Sequence, residues 1–227
     1  LFRSLMLIML VSAGTVMVLV LLSYRFLLRA IFGQIDADVM QNAEIYFIIS
    51  AMSYPFLGVY NAGAALFRAI GNSRVSMYTS LVMNVINIGG NAVLIFGFGL
   101  GVMGAALATL TARIVSALVM VVLLSRKDNP LCIATPGCMK PQRDVIGKIL
   151  KIGIPSGVEN GMFQIGKLLV SRLTATFGTA AIAANAVANS VAGFANIPGI
   201  AIGLAIVTVI GRCIGAGEKE QARYYSK

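Results

Sequence analysis

Long apolar stretches separated by short polar segments dominate the pattern along this chain. Six stretches reach the roughly 20 residues that a helix needs to cross the hydrocarbon core of a bilayer. They span approximately residues 5–32, 43–67, 75–98, 102–124, 146–177 and 180–210. Because they are continuous rather than alternating between apolar and polar positions, they predict helices and not barrel strands. We therefore expect an all-α fold, a polytopic membrane bundle with six transmembrane helices.

The composition strengthens the membrane assignment and narrows the chemistry. Hydrophobic residues make up 58% of the chain and charged residues only 11%, well outside the range of soluble proteins. The chain has no histidine, and no Cys-His or paired-acid pattern with catalytic spacing falls at membrane depth. We expect no enzymatic activity, no metal site and no resident cofactor.

The basic residues collect on one side of the predicted bundle. The positive-inside rule makes that side cytoplasmic, so both ends of the chain should be cytoplasmic in a multi-pass protein of the cell inner membrane. The net charge of +10 follows from this topology and from anionic lipid headgroups, so we expect the bilayer and no nucleic acid as a partner. The basic side holds Arg3, Arg68, Arg74, Arg126, Lys127, Lys140, Arg143, Lys148, Lys151, Arg212, Lys219, Arg223 and Lys227.

Residues 126–145 form the longest polar segment, and three prolines in it oppose a continuous helix. We interpret it as a cytoplasmic linker between a four-helix portion, residues 1–125, and a two-helix portion, residues 146–227. Cys132 and Cys138 lie in this linker, at a spacing that does not match a zinc site. We expect both to be free thiols.

Glu159, inside the apolar stretch 146–177, is the most informative polar residue. An ionisable side chain at membrane depth is costly and indicates a functional site. Pro155, one turn earlier, removes a backbone hydrogen-bond donor, while Gly157 and Gly161 let neighbouring helices approach closely. A broken helix that carries an acid is typical of a transport pathway.

Three asparagines, Asn84, Asn87 and Asn91, share one face of the third predicted helix. Amides on one face can line a polar cavity, or they can hydrogen-bond to neighbouring helices, as asparagines in membrane bundles commonly do. The spacing leaves both interpretations open. Thr109 is a weaker candidate, because membrane threonines often bond back to their own helix.

Lys167 and Arg172 lie deep in the stretch that carries Glu159, so pairing or a water-filled cavity is expected around them. Lys167 follows Glu159 by eight residues, which is about 12 Å of helical rise. A direct salt bridge between the two is therefore not expected in a straight helix.

Several segments together resemble the multidrug and toxic compound extrusion (MATE) family. In chain order they are LFRAIGNSR at 66–74, NVINIGGN at 84–91, GAALAT at 104–109, GIP at 153–155 and IAANAVANS at 182–190. The resemblance extends over nearly the whole chain. It implies a protein of twelve helices in two pseudo-symmetric six-helix lobes, of which this chain would be an internal portion, helices three to eight.

The resemblance also implies a function. A MATE protein is expected to be a secondary antiporter in which Na⁺ or H⁺ enters while a small organic substrate, an organic cation or drug, leaves. The first lobe's cation site matches Asn61, Asn87, Asn91 and Thr109, although many members have an aspartate at the position of Asn91. In the second lobe some members have a glutamate near the position of Gln164. Glu159 would be the coupling switch here, and we expect a monomer.

A second hypothesis is a flippase for a lipid-linked saccharide or another lipid. A pyrophosphate-bearing lipid needs cationic partners inside the bundle. Lys167 and Arg172 are the candidates for that role.

Overall fold

The computed structural model describes residues 2–32, 37–125 and 143–225. Over these ranges the chain forms helices and no strand, which confirms the all-α prediction. The helices are α1 (Phe2–Phe32), α2 (Ala37–Met52), α3 (Tyr54–Ala69), α4 (Ser73–Asn91), α5 (Gly101–Ser125), α6 (Arg143–Ala175), α7 (Thr179–Gly215) and α8 (Lys219–Tyr225), with a π-helical segment, Ala92–Gly97, that continues α4.

Length and apolarity identify the membrane-crossing helices. In the described part of the chain four helices are long and apolar enough to span a bilayer, at Leu5–Phe26, Ser73–Gly97, Gly101–Ser125 and Ala183–Gly215. The pair α2 and α3, bent by 42°, makes a fifth if it is counted as one span. The fold is therefore an all-α membrane helix bundle.

The predicted stretch 146–177 forms α6, but α6 is not among the helices that meet this criterion. Polar side chains, including Glu159, Gln164 and Lys167, interrupt its apolar run and lower its mean hydropathy. At about 1.5 Å per residue, α6 is nonetheless roughly 50 Å long. It is thus the most polar of the long helices, and its polar residues are those that the sequence marks as functional.

The predicted single helix 43–67 is instead broken at Ser53. Pro55 lies in the first turn of α3, where the missing backbone donor has no cost, but it prevents α2 from running on. The Ser53 hydroxyl donates to the carbonyl of Ser50 at 2.6 Å and accepts a hydrogen bond from the Arg113 guanidinium of α5. Ser53 is fully buried, so α5 anchors the break from inside the bundle.

The chain turns from α4 into α5 through the π-helical segment and a glycine-rich corner. Phe98 donates its backbone N–H to the carbonyl of Val93 at 3.1 Å, the five-residue spacing of a π-helix. Gly99 and Gly101 have φ values of +66° and +50°, which L side chains rarely adopt. This corner brings α5 back along α4.

The chain divides into two compact units, Leu1–Gly147 and Lys148–Lys227. In the first unit α5 packs against α2, α3 and α4. Its core consists of five buried residues, two of them on α5 and three on α3. They are Tyr60, Ala64, Phe67, Met120 and Leu124.

In the second unit most described side chains of α6 and α7 are exposed, and α8 packs against α7. The close helix approach predicted at Gly157 and Gly161 is not made within the described chain, because a Cβ added at either would meet no atom within 4 Å. Most of the predicted linker, residues 126–142, lies outside the described residues together with Cys132 and Cys138. The assignment of the two units to two lobes stays a prediction.

Candidate functional site

A chain of side-chain hydrogen bonds connects α4 to α5 in the first unit. Asn91 Nδ2 donates to Asn87 Oδ1 at 3.2 Å, and Asn87 Nδ2 donates to Thr109 Oγ1 of α5 at 3.1 Å. The Thr109 hydroxyl donates in turn to the carbonyl of Ala105 at 3.0 Å. Three of the predicted site residues thus form one network, which we call the amide network (Asn87, Asn91 and Thr109).

The amide network ends in an acceptor that nothing satisfies. Asn91 Oδ1 is buried and has no hydrogen-bond partner in the described chain. A buried polar atom without a partner costs about 1–3 kcal/mol, and such an atom in a folded protein indicates a strained site, a catalytic role, or a bound water or ion. Oxygen atoms are the ligands that hard cations prefer. Asn91 Oδ1, Asn87 Oδ1 and Thr109 Oγ1 could therefore contribute to a cation site.

Close helix packing holds this network in place. A Cβ added at Gly90 would lie 3.1 Å from Ala108 Cβ, and one added at Gly104 would lie 3.0 Å from the carbonyl oxygen of Leu94. The two helices can approach this closely only because these positions lack a side chain. The amides are consequently held in a tight seam between α4 and α5.

Asn84 does not join the network, although it lies on the same predicted face. Its side chain is exposed and donates to the carbonyl of Ser80, in its own helix, at 3.0 Å. The sequence left open whether these asparagines line a cavity or bond to neighbouring helices. The structure separates them, since Asn87 bonds to α5 and Asn84 bonds within α4.

Asn61, the fourth residue predicted for the first-lobe site, lies elsewhere. It is exposed on α3 and lines a cavity of about 240 Å³ with residues of α1, among them Met9 and Ser12. None of the amide network residues lines this cavity. The structure therefore brings together three of the four predicted residues and leaves Asn61 in a separate pocket.

The second unit contains a larger cavity, of about 930 Å³, between α6 and α7. Gln164, a predicted site residue, lines it, and so does Lys167. Lys167 Nζ lies 4.9 Å from the centroid of the Phe163 ring, within cation–π range. The described residues lining this cavity, which we call the α6–α7 cavity, are Met162, Phe163, Gln164, Gly166, Lys167, Leu168, Val170, Ser171, Asn185 and Asn189.

Glu159 is exposed on α6 and is not among the described residues that line the α6–α7 cavity. In the described chain no ion pair links it to Lys167, in agreement with the rise of about 12 Å that separates them along a helix. Its role as a coupling switch stays a prediction. The structure places Glu159 on α6, about two helical turns before Lys167, the charged residue of the cavity.

Sequence reasoning missed two features of these sites. Asn185 and Asn189 of α7 line the α6–α7 cavity, and their spacing of four residues, which puts them on one helix face, could have indicated this. The bond from Arg113 to Ser53 joins residues 60 positions apart. The periodicity of apolar and polar residues cannot predict a contact between residues so far apart in the sequence.

Comparison with known proteins gives a consistent result. The MatE family model matches residues 1–93 and 155–227. The chain is 29% identical over 192 residues to the probable multidrug resistance protein YoeA of Bacillus subtilis, a match that covers 82% of this chain and 42% of the relative. It is 29% identical over 198 residues to the probable multidrug resistance protein NorM of Thermotoga maritima, covering 84% of this chain and 41% of the relative.

Among solved structures, a multidrug resistance MATE family transporter of the MOP superfamily, in an outward-facing conformation, matches with a TM-score of 0.86 and 21% identity. The match covers 97% of this chain and 49% of that chain, and at this identity it supports the fold alone. The chain spans about two fifths of the length of the curated relatives it matches, since it covers 42% and 41% of the two named above.

Proposed function

Because this chain belongs to the MATE family of transporters, which its family-model match over residues 1–93 and 155–227 establishes, we propose that the protein is a secondary active antiporter that exports organic cations or other drugs in exchange for Na⁺ or H⁺. It is a multi-pass membrane protein. We propose that it works as a monomer in the cell inner membrane, with both ends of this chain cytoplasmic. Its partners would be a small organic substrate and the lipid bilayer, with no nucleic acid. It would move its substrate without transforming it chemically.

The observation that carries this proposal is the unsatisfied oxygen of the amide network. Asn91 Oδ1 is buried without a partner in the described chain, at the end of a network that already aligns two further oxygens. A cation placed against these oxygens would supply the missing partner of Asn91. Ion binding there would drive a conformational change to the extent that the ion binds one conformation more tightly than the other.

The chemistry of the network favours Na⁺ over H⁺ at this place. Its three side chains are neutral amides and a hydroxyl, none of which takes up a proton at physiological pH. A sodium ion needs only oxygen dipoles, which these groups provide. The proton alternative rests on Glu159, the one acid of α6 among the residues with a described side chain.

The relatives support drug export as the direction and class of transport. Two of them are named as probable multidrug resistance proteins. The α6–α7 cavity, of about 930 Å³, falls within the range of small-molecule site volumes, although most of its described lining residues are exposed. We propose that Gln164 contacts the substrate there.

The flippase remains the alternative function. Of its two cationic candidates, Lys167 lines the α6–α7 cavity and Arg172 is not among the described lining residues. A pyrophosphate group bound by several donors would need more than one cation. The described lining offers one cation, Lys167, and this argues against the flippase.

The test is efflux of ethidium, a fluorescent organic cation, from proteoliposomes that contain the full-length protein, driven by either a Na⁺ or a H⁺ gradient. We expect Na⁺-driven efflux that Asn91→Leu strongly reduces when Na⁺ is below saturation, because leucine has a similar size but no oxygen. Asn84→Ala is the matched control, since Asn84 lies on the same helix and, in the described part of the chain, bonds within it. H⁺-driven efflux that Glu159→Gln removes would move the coupling site to α6. Absence of efflux under both gradients, with transfer of a labelled lipid between leaflets, would favour the flippase.

A further inference from the structure

The charge of the α6–α7 cavity differs from what a site for organic cations requires. Lys167 is the only charged side chain among its described lining residues. No residue of α7, Thr179–Gly215, is acidic, and Glu159 lies about 12 Å along α6 from Lys167. Positive charge in this cavity therefore has no counter-charge among the residues that the structure describes.

Lys167 is held where a ligand would meet it. Its Nζ lies over the face of Phe163, one turn earlier on α6, at 4.9 Å from the ring centroid. The ring face attracts the ammonium and orients it. The ring does not neutralise the positive charge, and it does not accept a conventional hydrogen bond from the ammonium. The three N–H donors of Lys167 remain available to an anionic group.

The polar neighbours add further donors. Gln164 and Ser171 line the same cavity, and neither makes a hydrogen bond to another residue in the described part of the chain. Asn189 donates to Asn185 at 3.2 Å, which fixes the amides on the α7 side. Met162 and Phe163 provide an adaptable and an aromatic surface beside these donors. The lining thus combines a cation, neutral donors and apolar surface.

We propose that the α6–α7 cavity binds organic solutes through an anionic group, a carboxylate that pairs with Lys167, so that the substrates of this protein are aromatic carboxylates and zwitterions in preference to simple organic cations. The inference rests on the proposed transport function, because it specifies the substrate class of that transporter. Lys167 binds the carboxylate, Gln164 or Ser171 donates a second hydrogen bond to it, and Phe163 packs against the ring system. A solute with only positive charge lacks this pairing and binds in the cavity less tightly than one with a carboxylate.

The inference is tested with two dyes that differ only in whether one carboxyl group is free or esterified. A rhodamine with a free carboxylate and its methyl ester share the same ring system, and only the first has an anionic group. Binding of each dye to the full-length protein in lipid nanodiscs is measured by fluorescence anisotropy, without any gradient. We expect the carboxylate dye to bind roughly tenfold more tightly, a factor typical of one charged contact. Lys167→Met should remove this preference, and Lys167→Arg should keep it.

Arg172→Met is the matched control, because Arg172 lies on the same helix and outside the described lining. It should leave the preference unchanged. Equal or tighter binding of the methyl ester to the wild-type protein overturns the inference, as does an equal loss for both dyes in Lys167→Met or no binding of either dye. Because binding needs no ion gradient, a carboxylate preference without gradient-driven efflux would contradict the antiporter and leave the substrate class standing. Gradient-driven efflux without a carboxylate preference would support the antiporter and contradict the proposed substrate class.

Discussion

The amide network and the α6–α7 cavity contain similar polar groups in opposite surroundings. In the first, Asn87 and Thr109 lie in a seam so tight that a Cβ at Gly90 would approach Ala108 Cβ to 3.1 Å. In the second, a Cβ at Gly166 would meet no atom of the described chain within 4 Å. A tight seam of neutral oxygens suits a small desolvated ion, while an open cavity with a charged side chain suits an organic solute.

From this difference we infer a division of labour between the two units, which rests on the proposed function. The first unit would bind the coupling ion and the second the solute, each through side chains of its own helices. Neutral dipoles would suffice for an ion in the seam, because helix packing aligns them and leaves Asn91 Oδ1 unsatisfied in the described chain. In the open cavity the weaker alignment of dipoles is offset by the full charge of Lys167.

The largest expected effect is on packing in the seam. Gly104→Leu forces a side chain against the carbonyl oxygen of Leu94, which lies only 3.0 Å from the added Cβ. Backbone cannot give way as a flexible side chain can, so we expect a loss of about 3 kcal/mol in unfolding free energy. Gly161→Leu, on the open face of α6, is the matched control and should cost well under that. Equal losses, in thermal melts of the detergent-solubilised protein, would remove the contrast between the regions.

The next effect concerns the anchor of the α2–α3 break. Ser53→Ala leaves the Arg113 guanidinium without its hydroxyl partner at a fully buried position, and we expect a cost of about 1.5–3 kcal/mol. Ser190→Ala is the control from the second unit, because its hydroxyl is exposed and bonds back to the carbonyl of Ala186 at 2.9 Å. Chemical denaturation measures both. A cost for Ser53→Ala no larger than that for Ser190→Ala would mean that Arg113 is satisfied by other groups.

A third effect links ion binding to stability. Replacing K⁺ by Na⁺ should raise the unfolding free energy of the wild-type protein by about 1.4 kcal/mol when Na⁺ is present at some ten times its dissociation constant. Asn91→Leu should abolish this increase, and Asn189→Leu should keep it, since Asn189 lies in the α6–α7 cavity. Loss of the Na⁺ effect in Asn189→Leu with retention in Asn91→Leu would reverse the assignment of the two regions.

The smallest effect is expected for Lys167→Met on stability. Lys167 is exposed, and its contact with Phe163 at 4.9 Å is worth about 0.5 kcal/mol at such a site. The melting curve should therefore hardly change, even though dye selectivity does. A large destabilisation would show that Lys167 supports the fold and would weaken its assignment to the substrate.

The sequence predicts the helices of this protein better than their interruptions. Continuous apolar runs locate the helices, because a bilayer imposes their length, but the run 146–177 forms α6, which does not meet the criterion for a span. The break at Ser53 and the π-helical segment Ala92–Gly97 are not visible in the hydrophobic pattern. Pro55 is a signal for the break, whereas nothing in the pattern of apolar positions marks the π-helical segment.

The candidate sites show the same limit. Periodicity places Asn84, Asn87 and Asn91 on one face, but it does not reveal that only Asn87 reaches Thr109, 22 residues away. That contact depends on how closely α4 and α5 pack. Gln164 and Lys167 both line the α6–α7 cavity. The sequence indicates a cavity or a pairing partner around Lys167, but it does not identify α7 as the other wall of that cavity.

The most direct test of the division of labour is the kinetics of Na⁺-driven efflux of the carboxylate rhodamine from proteoliposomes that contain the full-length protein. The Na⁺ concentration and the dye concentration are varied separately for the wild-type protein, Asn91→Leu and Lys167→Met. We predict that Asn91→Leu raises the half-saturating Na⁺ concentration at least roughly tenfold and leaves the dye KM unchanged. Lys167→Met should raise the dye KM and leave the half-saturating Na⁺ concentration unchanged. If both variants change the same parameter, the ion and the solute share one site and the account is contradicted.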